Sequence, residues 1–138
     1  MRPAANVMYG MLGLALLAAI GCTLREAGYA GLEPLTRTEL YFGLSRPGGA
    51  TVSAADWKAF LDTQITPRFP GGLTVLDASG QWRSRAGGII AEKTKVVILI
   101  HPNLPDKASA IQDIVSEYKR RFNQEAVLRV SDRVGVSF

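Results

Sequence analysis

Val96-Val97-Ile98-Leu99-Ile100 is the stretch that most constrains what this chain folds into. It closes a segment running from Ile89 that is rich in β-branched residues, and it has no polar position on either side. A strand made from it is apolar on both faces and belongs near the middle of a sheet. The rest of the chain has to supply that strand with neighbours.

Those neighbours are legible by period. Arg37 to Ser45 alternates, with Leu40, Phe42 and Leu44 on one face and Glu39, Tyr41 and Gly43 on the other, which predicts a first strand with one buried face. Arg46-Pro47-Gly48-Gly49 ends it. From Ser53, a capping residue with Asp56 three positions on, Trp57, Phe60, Leu61 and Ile65 recur at helical spacing. Pro67 stops this helix and Pro70-Gly71-Gly72 turns the chain. Leu73 to Asp77 predicts a second strand, with Ala78-Ser79-Gly80 a bulge or bend before Gln81-Trp82-Arg83. Ser84 to Gly88 has the length and glycine content of a hairpin connection into the Ile89 strand.

After His101-Pro102-Asn103-Leu104-Pro105, Asp106 is placed to cap a second helix, on which Ile111, Ile114, Val115, Tyr118 and Phe122 form one stripe. Gln124 to Val130 predicts a fourth strand. Val134 to Phe138 predicts a short fifth, beyond a turn at Ser131-Asp132-Arg133. The main order is the βαββαβ unit of the α+β ferredoxin-like sandwich, an antiparallel sheet in the order four, one, three, two with both helices on one face. The other face is open, and must be wet, ligand-covered or paired with another subunit. A homodimer through that face is the expectation.

The start of the chain reads as an address. Met8 to Ile20 is an uncharged apolar run behind an N-terminus carrying Arg2. It is too short for a comfortable membrane span, which needs roughly 20 apolar residues, and it has the form of a secretory signal. Cys22, the only cysteine, stands in Leu17-Ala18-Ala19-Ile20-Gly21-Cys22, which resembles a bacterial lipobox with Ala19 where that motif prefers leucine. The expected layout is therefore a lipoprotein-type signal peptide over 1–21, a tether over 22–36 and one α+β domain over 37–138. The expected location is the periplasm, with Cys22 lipidated and anchored in the cell-envelope membrane. Ordinary cleavage after Gly21 or Ala30 is the alternative. A single cysteine allows no internal disulfide, so the domain must be held by its core.

Composition allows one. The chain has 138 residues, 47% of them hydrophobic and 20% charged, enough for one domain of ordinary size. The formal charge is +4 and the pI about 9.5. The basic residues are scattered except for Lys119-Arg120-Arg121, at a helix C-terminus where positive charge offsets the helix dipole. Nucleic acid is not the expected partner.

The segments ELYFGLSRPGG, DWKAFLD, TPRFPGGLTVLDASGQWR and YKRRFNQEAVLRV resemble those of the bacterial family of domains of unknown function numbered 3574. The resemblance runs from about Thr36 to Phe138. It implies small, exported, single-domain proteins, and it carries over no activity and no catalytic residue.

Sheet order sorts the polar residues into two groups. The third strand ends near the beginnings of the first and second, which brings His101 near Glu39, with Arg68 from the end of the first helix and Arg129 from the end of the fourth strand. A histidine beside a carboxylate is a general base. The plain alternative is a surface histidine and a Glu39–Arg129 cross-strand pair. At the opposite end the hairpin sets Gln81 and Trp82 across from Ile90 to Glu92, and Glu125 enters from the start of the fourth strand. A flat apolar wall with a few polar groups is how ligand sites are built. The plain alternative has Trp82 covering the sheet edge and Glu92 solvated or paired with Arg83 or Lys93.

No metal site is expected from one histidine and no thiol cluster. There is no phosphate-binding glycine loop and no nucleophile elbow, and no cofactor is implied. The expected function is a non-catalytic envelope module that binds a small molecule or partner protein on the open sheet face. The alternative is a small acid–base enzyme using Glu39 or Glu92 with Tyr41 and His101.

Overall fold

The computed structural model of the chain describes residues 31–138. The expected signal segment, its expected cleavage site and Cys22 lie outside the described residues. Leu35–Val134 forms one unit, and the described ends, 31–34 and Gly135–Phe138, belong to another.

Alternation shapes β1 (Glu33–Gly43): Thr36, Thr38, Leu40 and Phe42 are buried, while Arg37, Glu39 and Tyr41 point to the other side. The strand is followed by a short turn at Pro47–Gly49 and then by α1 (Ala54–Phe60). Ser53 caps α1 as expected: its Oγ accepts from the backbone N of Asp56 at 3.0 Å and donates to Asp56 Oδ2 at 2.8 Å. The helix continues as a π-helical turn, Leu61–Ile65, and stops before Pro67.

The next strand, β2 (Thr74–Arg83), runs unbroken through Ala78-Ser79-Gly80, where a bend was expected. Its hairpin with β3 (Ile89–His101) closes as predicted, with Ser84 N donating to Gly88 O at 2.9 Å. The second helix, α2 (Pro105–Phe122), begins at the proline, so Asp106 sits in its first turn instead of capping it. It ends in Asn123, whose φ of 52° is the left-handed conformation of a helix C-cap.

The last strand, β4 (Leu128–Val136), starts four residues later than expected and takes in Ser131-Asp132-Arg133. One strand therefore replaces the predicted fourth strand, turn and fifth strand.

The four strands make one antiparallel sheet in the order β2-β3-β1-β4, with β3 inside it. The fold is the ferredoxin-like α+β sandwich. Val97 and Leu99 of β3 join Leu40 and Phe42 of β1 under the helices, where they meet Trp57, Phe60 and Ile65 from α1 and its π turn and Ile111, Ile114, Tyr118 and Phe122 from α2. Phe42 stacks edge-on against Tyr118 at 4.6 Å between ring centres. Fully burying a side chain of this kind contributes about 1.5–3 kcal/mol. The Tyr118 hydroxyl finds its partner in the backbone: it donates to Gly43 O at 2.9 Å.

Candidate functional site

Register fixes which polar groups share the open face. In the β1–β3 pair Glu39 lies opposite Ile98, Tyr41 opposite Val96 and Gly43 opposite Thr94. In the β2–β3 pair Gly80 lies opposite Glu92 and Trp82 opposite Ile90. Glu39, Tyr41, Trp82 and Glu92 are thereby on the side away from the helices.

Glu92 is the most firmly placed of these. Its Oε2 accepts from the backbone N of Ser45 at 3.0 Å. The carboxylate lies over the α-carbon of Gly43, so that a Cβ there would come within 2.6 Å of the Glu92 carboxyl carbon. It pairs with neither Arg83 nor Lys93; the Lys93 ammonium instead donates to Ser79 Oγ at 3.1 Å. Glu92, Tyr41, Gln81, Trp82, Gln124 and Leu128 line a recess of about 210 Å3. Gln124 is fixed by a bond from its Nε2 to Ser45 O at 2.5 Å. The indole Nε1 of Trp82 is buried with no hydrogen-bond partner among the described residues, a cost of about 1–3 kcal/mol for a donor kept from water.

Along β1 the Tyr41 hydroxyl donates to Glu39 Oε2 at 2.5 Å, and Arg37 forms an ion pair with Glu39. The bond to Glu39 raises the pKa of the Tyr41 phenol, and desolvation and the Glu39 charge add to it against the opposing charge of Arg37. Tyr41 therefore stays protonated at neutral pH and can donate a proton.

The predicted grouping of His101 with Glu39 is corrected. His101 pairs with Thr36, on the helix-covered side, and is 5% exposed. Its Nε2 is 3.0 Å from Thr38 Oγ1, its Nδ1 2.8 Å from Pro102 O, and its ring meets Phe69 edge-on at 5.7 Å. The sheet itself separates it from Glu39. Arg68 does not reach Glu39 either, because its Nη1 donates to Gln64 O at 2.6 Å and stays at the end of α1. Arg129 stands at the start of β4, not its end, and its Nε donates to Ser131 Oγ at 3.3 Å, while Glu39 is held by Arg37. A surface histidine and a Glu39–Arg129 pair are thus both replaced.

The second predicted group does assemble. Gln81, Trp82 and Glu92 share the recess, and Glu125 lines an adjoining one. Sequence reasoning had put Tyr41 with the open face but not in this recess, and it missed Ser45 and Gln124. Gly43 had a readable signal, since a glycine in a strand interior marks close approach. No group of three or more side chains suited to a metal ion gathers among the described residues.

Residues 37–138 match the family described as "Protein of unknown function (DUF3574)". No curated protein sequence is similar to the chain. Among solved structures it is similar to a phage SAM lyase in complex with S-methyl-5'-thioadenosine, with 17% identity, a TM-score of 0.59, and coverage of 75% of this chain and 90% of that one. It is similar also to a phage SAM lyase in the apo state, with 16% identity, a TM-score of 0.55, and coverage of 76% and 90%. At such identity the likeness shows the fold. Both neighbours are structures of an enzyme, which overturns the expectation of a non-catalytic binding module.

Proposed function

The chain belongs to this family of proteins of unknown function, and on that premise we propose that it is a small acid–base enzyme whose working groups are Glu92, Glu39 and Tyr41 on the open sheet face. The observation that carries the reading is the placement of Glu92, with its carboxylate held by a backbone N–H over a glycine, in the wall of a recess that also presents Tyr41 and Trp82. The substrate class is a nucleoside sulfonium of the S-adenosylmethionine type, after the activity named for the phage lyase of the same fold. Its flat ring system suits the Trp82 and Tyr41 walls, and its positive sulfur suits a carboxylate.

The step is a carbon–sulfur cleavage. Glu92 takes a proton from the carbon next to the one bonded to sulfur, a carbon–carbon double bond forms, and the pair from the breaking bond leaves with sulfur as a neutral thioether. The sulfonium charge is lost and the carboxylate becomes an acid, so no oxidant or reductant is needed. Tyr41 and Glu39 orient the substrate from β1. His101 takes no part.

Incubation of the purified chain with S-adenosylmethionine tests the reading, with S-methyl-5'-thioadenosine followed by chromatography. Turnover by the native chain, cut at least 100-fold in Glu92→Gln, is the expected result. A native chain that releases no thioether, or a Glu92→Gln variant of full activity, sinks it.

Export with lipidation at Cys22 belongs to the same reading and would place the site in the cell envelope. Equal fatty-acid labelling of the native chain and Cys22→Ala would refute that part.

A further inference from the structure

A second recess, of about 310 Å3, adjoins the first, and Trp82, Glu92 and Gln124 line both. Its own walls bring Arg46 and Glu125 together with Ser84 and Asn123. Opposite charges in one small recess normally pair, yet among the described residues neither Arg46 nor Glu125 is in an ion pair. Each is held elsewhere. The half-buried Arg46 guanidinium lies 6.0 Å from the centre of the Phe122 ring, and Glu125 Oε2 accepts from Arg85 N at 3.4 Å.

Two opposite charges kept apart in one recess are complementary to a ligand that carries both. We propose that this recess is the subsite for a zwitterionic α-amino acid head on the substrate, with Arg46 taking its carboxylate and Glu125 its ammonium. Arg46 suits the first task because a guanidinium engages a carboxylate through two parallel donors. Asn123, fixed at the C-cap of α2, and Ser84 add polar groups to the same wall. Glu92 stands where the two recesses meet, beside the charge that joins ring and amino acid in a sulfonium of this class. The inference rests on the function proposed above and makes it specific: both halves of the ligand are read, the ring in one recess and the amino acid in the other.

Calorimetric titration of the full chain with three probes tests it: S-methyl-5'-thioadenosine, which has the ring alone; S-adenosylhomocysteine, which adds the amino acid; and L-methionine, which has the amino acid alone. The native chain should bind S-adenosylhomocysteine about tenfold more tightly than S-methyl-5'-thioadenosine, the scale of one charge-assisted contact. Arg46→Ala and Glu125→Gln should erase that preference while leaving S-methyl-5'-thioadenosine binding unchanged. Arg46→Gln serves as the check if loss of the contact with Phe122 unfolds Arg46→Ala. Equal affinity of the native chain for the two nucleosides, or a preference that survives in the variants, overturns the subsite. Arg46-dependent binding of L-methionine without binding of either nucleoside supports the amino acid subsite while sinking the sulfonium reading. Binding of none of the three overturns both.

Discussion

Thr38 Oγ1 and His101 Nε2 lie 3.0 Å apart across the β1–β3 pair, on the side of the sheet that the helices cover. Thr38 Oγ1 is also 3.0 Å from Ser131 Oγ, so polar side chains link β3, β1 and the exposed edge strand β4. His101→Ala should therefore lower stability by about 1–3 kcal/mol, the cost of a buried hydrogen bond left half made. Turnover and its pH profile should not change once the variant is folded. A shifted profile would return His101 to the reacting groups.

Gly43→Ala separates folding from function. The atoms that the new methyl group would meet are the far end of the Glu92 side chain, which can swing away. Replacing this glycine at the end of β1 should lower stability by about 1–3 kcal/mol, because Ser45 N loses its acceptor, and leave the chain folded. The displaced carboxylate loses its bond to Ser45 N, and thioether release should fall by about 100-fold. Full activity in a stable Gly43→Ala variant would show that the position of Glu92 is immaterial.

Tyr41→Phe removes the donor to Glu39 Oε2 while keeping the ring in the recess. The phenol pKa is raised by that bond, so the native chain should hold its activity to above pH 10 as far as Tyr41 is concerned. The variant should lose about tenfold in kcat/KM, the scale of one orienting hydrogen bond, because the elimination itself needs no proton donor. Unchanged kinetics would show that Tyr41 does not orient the substrate.

Tyr118 titrates the fold itself. Burial pushes its phenol well above the ordinary range; the Glu92 charge adds to the rise and Arg46 opposes it. With the folded pKa above the unfolded value of about 10, the native state holds the proton that the unfolded chain gives up. That contribution is complete below about pH 10 and is lost as pH rises toward the folded pKa. Chemical denaturation across this window should show a steep fall in native stability. In Tyr118→Phe the fall should be shallower, from a start about 0.5–1.5 kcal/mol lower at pH 7 because Gly43 O loses its donor. Parallel curves would show that Tyr118 does not set the alkaline limit.

The sandwich was legible because its buried residues obey one period at a time. Leu40 and Phe42 alternate, whereas Trp57, Phe60, Ile111, Ile114 and Tyr118 recur at helical spacing, and burial follows both patterns. β4 was misplaced for another reason. Leu128, Val130, Val134 and Val136 share one face, but Asp132 interrupts it, so Ser131-Asp132-Arg133 reads as a turn between two strands where one exposed edge strand runs through.

Counting by twos from Leu99 puts His101 on the inner face, and counting from Leu40 puts Glu39 on the outer one. Their separation was thus implicit in the sequence, and proximity along the sheet obscured it. The joining of Tyr41 with Gln124 and Leu128 was not implicit, because it depends on where the segment after α2 crosses the sheet.

Gly43 is touched from both sides. The Tyr118 hydroxyl grips its carbonyl from the helix layer, and the Glu92 carboxylate rests on its α-carbon from the open face. One peptide is thus in contact with the aromatic core on one side and with the wall of the recess on the other. Substitutions among Phe42, Tyr118 and Phe122 that tilt α2 by a fraction of an ångström will reach Glu92 without any of them entering the recess. Efforts to stabilise this protein by refilling its aromatic core should shift the Glu92 carboxylate as they proceed, so stability and the position of that group will have to be followed together.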